Sequence, residues 1–121
     1  MATIHADSSG GAFARLAMYA VQAPERLPLE ATNLLVANSV DFVVFIAQDN
    51  PVAGASRARY VSSVREVVGA EGPHVISNEI FAPGPDRRAL AAAPLRQDTI
   101  ADLAQVGFNP DTLLAEAGWA R

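Results

Sequence analysis

His5 is the first side chain along the sequence able to do chemistry at neutral pH, because an imidazole gains and loses its proton there. It stands just before Asp7, Ser8 and Ser9, three residue types that cap helices. A residue between the end of a strand and the start of a helix occupies the place where α/β folds hold ligands. The same histidine can equally be satisfied by neighbouring backbone groups. His5-Ala6-Asp7 has the His-x-Asp spacing of some metal sites, yet the chain has no Cys and His74 is its one other imidazole, which points away from a metal centre. Arg15, further along the first expected helix, has the charge to meet a phosphate or a carboxylate, although an exposed helical Arg is ordinarily just solvated. Asp49 closes an apolar run as a magnesium-binding aspartate closes a Walker B strand, but Asp49-Asn50-Pro51 is also turn chemistry and no phosphate loop precedes it. Arg57 and Arg59 read as charges that discourage edge-to-edge pairing, and Arg87-Arg88 is too short a basic run to imply nucleic acid.

What is missing narrows the chemistry further. All nine basic residues among the 121 are Arg, so every mechanism that needs a lysine ammonium is excluded: a complete P-loop, a Schiff-base enzyme and a Ser-Lys hydrolase. Without Cys there is no disulfide, thiolate nucleophile or Cys-ligated zinc, which suits a reducing compartment. A formal charge of −4 argues against a chain built to cover nucleic-acid phosphates. Apolar runs such as residues 42–47 are far too short to span a bilayer, and the first residues lack the basic and apolar regions of a signal peptide. Half the residues are hydrophobic and 18% charged, which is a globular composition.

The elements that must position these residues follow from periodicity. Residues 1–5 read as the end of a strand. Phe13, Leu16, Ala17 and Ala20 recur at helical spacing behind the caps, predicting a helix over 9–21 that Ala23-Pro24 ends. Pro28 opens a second helix running through Ala31, Leu34, Leu35 and Asn38. The continuous β-branched and aromatic run 41–47 suits a strand buried on both faces. Strands over 59–68 and 74–81, separated by Gly69-Ala70-Glu71-Gly72-Pro73, read as a hairpin. Beyond Pro83 the Pro/Gly/Ala-rich stretch to Pro94 reads as a linker, followed by short helices over 99–106 and from Asn109 to about Gly118. The class is mixed α/β.

The run Met1-Ala2-Thr3-Ile4-His5-Ala6-Asp7-Ser8, followed by Ala14-Arg15-Leu16, resembles the histidine box of type II/type IV secretion ATPases, in particular the tight-adherence pilus branch (Tad/CpaF, with VirB11-like and GspE-like relatives). The similarity continues through Leu27-Pro28-Leu29 and Asp41-Phe42-Val43-Val44. It extends to Tyr60-Val61-Ser62-Ser63-Val64-Arg65-Glu66-Val67-Val68-Gly69, which looks like the family's Arg-Val-x-x-Ile-x-Glu-Val-Val-Gly strand, and to Asn78-Glu79-Ile80-Phe81. Coverage is nearly continuous to Phe81 and weaker through the tail.

The resemblance implies that residues 1–82 are the C-terminal part of a RecA-like P-loop ATPase domain and 83–121 a linker with a helical tail. It implies a hexameric motor on the cytoplasmic face of the inner membrane that uses ATP and Mg²⁺ to drive pilus assembly or export, in contact with inner-membrane platform proteins. The family's P-loop, acidic box and Walker B segment lie upstream of its histidine box, so this chain holds no complete nucleotide site and is not expected to hydrolyse ATP alone. By the same resemblance His5 lies near the γ-phosphate or its coupling elements, and Arg15 near the nucleotide or a subunit interface. Asp7, where Asn is commoner, is expected to cap the helix, and Glu66 to make a structural ion pair with an Arg. A second reading is a stand-alone, non-catalytic module that docks on an intact secretion ATPase or a platform protein.

Overall fold

The computed structural model describes residues 1–49 and 57–111. Among them, three helices and one four-stranded antiparallel sheet form a mixed α/β fold. The chain begins without a strand: residues 1–6 have no regular structure. They leave the expected N-terminal strand unformed because none of the four strands pairs with them.

Helix α1 covers Gly11–Gln22 and α2 Leu29–Ser39. The side-chain bond at the start of α1 comes from Ser8, whose Oγ accepts the Gly11 N–H at 3.0 Å, so Ser8 rather than Asp7 serves the helix end. At the other end Ala23 is extended, the conformation that a following proline favours, and Pro24 prevents continuation. Pro28 precedes the first turn of α2, Glu30 lies within that turn near the positive end of the helix dipole, and Thr32 Oγ1 donates to the Pro28 carbonyl at 3.1 Å.

The sheet runs in sequence order: β1 (Phe42–Gln48), β2 (Arg59–Glu71), β3 (His74–Pro83) and β4 (Ala89–Ala91). The hairpin between β2 and β3 closes more tightly than its Gly-rich sequence implies, for Glu71 pairs with His74 and only Gly72-Pro73 make the turn. Gly72 takes φ +55°, and Pro73 holds a negative φ after it, the sign pattern of a two-residue type II′ turn. The stretch expected to be a linker is partly sheet. Arg87 at φ +66° turns the chain, the Gly84 N–H bonds the Arg88 carbonyl at 2.8 Å, and β4 then pairs with β3. The last described helix, α3, covers Gln97–Ala104; Gly107 at φ +91° ends it with the Phe108 N–H bonded to the Leu103 carbonyl, a Schellman-type stop. Asn109 Oδ1 accepts the Asp111 N–H, as the expected cap should, but the remainder of the helix expected to 118 lies outside the described residues.

Strand β1 is an edge strand, contrary to the expectation that both its faces are buried. Among the described residues it has β2 as its single neighbour, and α2 packs over β2 and β3 instead. Val44 and Ile46 therefore stay 52% and 60% exposed. Across the described residues the buried apolar core is small: Ala12, Val67, Ile80 and Leu95.

Candidate functional site

Side chains alternate across a strand, so Arg65 and Glu66 of β2 point to opposite faces of the sheet. Each organises a polar cluster. On the face carrying α1, the Arg65 Nε–H donates to Ser9 Oγ at 2.8 Å, Ser9 and Ser63 share a 2.8 Å hydroxyl contact, and Ser63 Oγ donates to Glu79 Oε2 at 2.6 Å. Because the single Ser63 proton is used on Glu79, Ser9 is the donor to Ser63. The Arg65 guanidinium also reaches Glu79 at 3.5 Å, which closes the ring. The two serines are buried, while Arg65 and Glu79 stay partly open. This ring clamps Ser9, two residues ahead of α1, onto β2 and β3, and the Arg65 guanidinium lies alongside Gly10.

On the opposite face Glu66 is 1% exposed. Its Oε2 accepts the Arg96 backbone N–H at 3.2 Å, and its Oε1 accepts the Arg96 Nε–H at 3.4 Å and the Thr99 hydroxyl. The expected ion pair of Glu66 is thus present, with Arg96 as partner, and it ties β2 to the start of α3. A cleft of about 350 Å³ opens beside it, bordered by Asp41, Phe42, Asp98 and Asp102.

His5 and Arg15 take part in neither cluster. Both are exposed, and among the described residues neither has a hydrogen bond or an ion pair. Arg15 borders a shallow groove of about 310 Å³ with Asp7, Ala14 and Met18, and His5 is not among the residues that line it. The structure thus does not join them in one site. His74 lies exposed at the β2–β3 turn. Asp49 follows β1 as expected, but Arg87 and Arg88 hold its two oxygens at 3.5 and 3.7 Å, and both guanidiniums sit over the Tyr60 ring.

These residues do not fit a magnesium nucleotide. There is no lysine for the phosphates, the Asp49 carboxylate is paired with two arginines, and Ser8 already bonds the leading amide of α1. No group of three or more His, Cys, Asp or Glu suited to a metal occurs among the described residues.

Sequence reasoning missed the Ser9–Ser63–Arg65–Glu79 ring, whose members lie up to 70 residues apart. A signal for it exists. Ser63 and Arg65 on one strand of the hairpin, and Ser77 and Glu79 on the other, recur at period two, which puts polar side chains on the face that a helix was expected to cover. No family model, curated protein or solved structure matches the chain.

Proposed function

We propose that this chain is a non-hydrolysing part of a secretion or pilus-assembly motor of the tight-adherence type, the C-terminal portion of a RecA-like domain, acting through contact surfaces. The support from sequence is the ordered resemblance from the Thr3-Ile4-His5 run to Asn78-Glu79-Ile80-Phe81. The observation that carries the functional reading is the apolar surface of the helix pair. Met18, Tyr19 and Val21 of α1, Leu27 between the helices, and Leu29, Leu34 and Leu35 of α2 are all at least 38% exposed, beside a core of four small or medium apolar side chains. An apolar surface of that extent on a folded domain marks a protein contact.

The chemistry of the chain agrees with a contact role. The Ser9–Arg65–Glu79 ring fixes the start of α1, so the preceding stretch with His5 and the exposed Arg15 is presented outward from a held base. Their partners then belong to another chain or another part of the motor, a neighbouring subunit of a hexamer or an inner-membrane platform protein. ATP and Mg²⁺ would be held by that other part. No described helix is long and apolar enough to cross a membrane, and a position at the cytoplasmic face would come from such protein contacts.

The test is reconstitution. The purified chain should release no phosphate from magnesium ATP above background. It should bind the separately expressed P-loop half of a tight-adherence pilus ATPase, and Leu34→Glu with Leu35→Glu should weaken that binding at least about tenfold, since both side chains lie on the surface and not in the core. ATP turnover by the chain alone that disappears in His5→Ala would overturn the reading, as would P-loop-half binding indifferent to the two Glu substitutions.

A further inference from the structure

The outer edge of β1 is built unlike an edge that is meant to stay free. Natural edge strands carry a charge, a proline or a bulge that stops another strand from adding. Strand β1, Phe42–Gln48, has no charged residue and no proline, and the irregularity in its pairing lies on the β2 side, where Phe45 opposes Ser63 and the next residue, Ile46, opposes Val61. On the face opposite α1, the one that carries α3 beside Phe42, it shows Val44 and Ile46, with the 41% exposed Val61 beside Ile46. Among the described residues, backbone groups with no strand partner and exposed β-branched side chains therefore coincide on one strand.

The two ends of β1 differ in charge. Around its start lie Asp41, Glu66, Asp98 and Asp102 against the single Arg96, all bordering one cleft. Around its end lie Arg57, Arg59, Arg87 and Arg88 against Asp49 and Asp86. A second copy laid antiparallel along the same edge brings the acidic start of each strand to the basic end of the other, whereas a parallel copy would set like against like.

We propose that two copies of this chain pair through β1, antiparallel and centred on Phe45, to form one continuous sheet across a twofold axis. In this register Val44 opposes Ile46 of the second copy, Val43 opposes Ala47 and Phe42 opposes Gln48, so every opposed pair can be buried without stranding a charge. The axis stands perpendicular to the sheet, so the α1 helices of the two copies share one face and the α3 helices share the other. The contact is isologous and closes at two copies, so it leaves no further edge of the same kind open for growth. It uses a surface separate from the helix-pair face and does not depend on the motor reading.

The experiment uses the full chain, whose lack of cysteine makes introduced thiols unambiguous. Sedimentation at micromolar concentration and low salt should show a dimer. Ile46→Lys, an exposed position, should raise the dimer dissociation constant at least about tenfold while the circular dichroism stays unchanged, and added salt should also weaken the dimer. Mixing Val44→Cys chains with Ile46→Cys chains under mild oxidation should give a disulfide-linked pair faster than either variant alone. A monomer at all concentrations, a dimer insensitive to Ile46→Lys, or Val44→Cys chains that cross-link best with themselves would overturn the proposal.

Discussion

Arg65 and Glu66 are consecutive on one strand, opposite in charge and opposite in facing, and the two clusters they anchor are held in different ways. Arg65 sits in a ring of half-open and buried groups in which each member has a second partner: Ser9 touches Arg65, Ser63 and Glu79, and Glu79 receives both Ser63 and Arg65. Glu66 is enclosed almost completely, and every bond to its carboxylate comes from one short stretch, Arg96 to Thr99. Redundancy makes the first cluster tolerant. Concentration on one segment makes the second an all-or-none attachment of the tail to the sheet.

The largest effect is therefore expected at Glu66. Glu66→Ala removes the acceptor for a guanidinium, a backbone amide and a hydroxyl together, and should lower unfolding stability by about 3 kcal/mol, read as a shift of the urea midpoint. It should also expose the Arg96 peptide bond to trypsin, because the segment loses its hold on β2. Arg96→Ala should cost less, about 2 kcal/mol. Its side chain is already 43% exposed, and the carboxylate keeps Thr99 and the backbone amide. If Arg96→Ala proved the more damaging of the two, the buried charge of Glu66 left without its partner would matter more than the attachment of the tail.

The same contrast explains which parts of the molecule could be read in the sequence. Helices α1 and α2 were legible because their signals are local: for α1, caps ahead of a 3.6-residue apolar period and Pro24 beyond it, and for α2, Pro28 at its opening. The pairing of β2 with β3 was legible for the same reason, a turn between two β-rich runs. The ion pair of Glu66 was expected in kind but not in partner, since the 30 residues that separate it from Arg96 carry no local mark of the contact. Burial of β1 could not be read. An apolar run looks the same at an edge as in the middle of a sheet, and the difference lies in what its neighbours are. Strand β4 was missed because Ala89–Ala91 has little β-propensity and is recruited by β3 after the turn at Arg87, whose positive φ no local pattern announces. For the candidate residues, the sequence located His5 and Arg15 near α1 but could not show that they stay apart and unpaired.

In the redundant cluster the expected effects are smaller. Arg65→Ala should cost about 1–1.5 kcal/mol, because Glu79 keeps its bond from Ser63 and Ser9 keeps its bond to Ser63. Combining it with Ser63→Ala should cost clearly more than the sum of the two single changes, since only the pair of changes removes both the Ser63 bond and the Arg65 ion pair from Glu79 and leaves it the 3.4 Å contact with Ser9. A double-mutant cycle in urea measures that excess directly, and strictly additive values would show that the ring is a set of independent contacts.

The smallest effect is expected at the most conspicuous charge cluster. Asp49 joins Arg87 and Arg88, both stacked on Tyr60, yet the three charged side chains are between 38% and 59% exposed. Water and salt screen such pairs, so Asp49→Ala should change stability by less than about 0.5 kcal/mol, within the range of surface ion pairs. What it should change is association. It makes the end of β1 more basic without touching the strand itself, and so strengthens the pull on the acidic start of a second copy. At low salt the dimer of the Asp49→Ala chain should be modestly tighter than that of the parent, and the difference should vanish as salt rises. A weaker dimer would place Asp49 in the contact itself, against the arrangement of charge that selects the antiparallel pair.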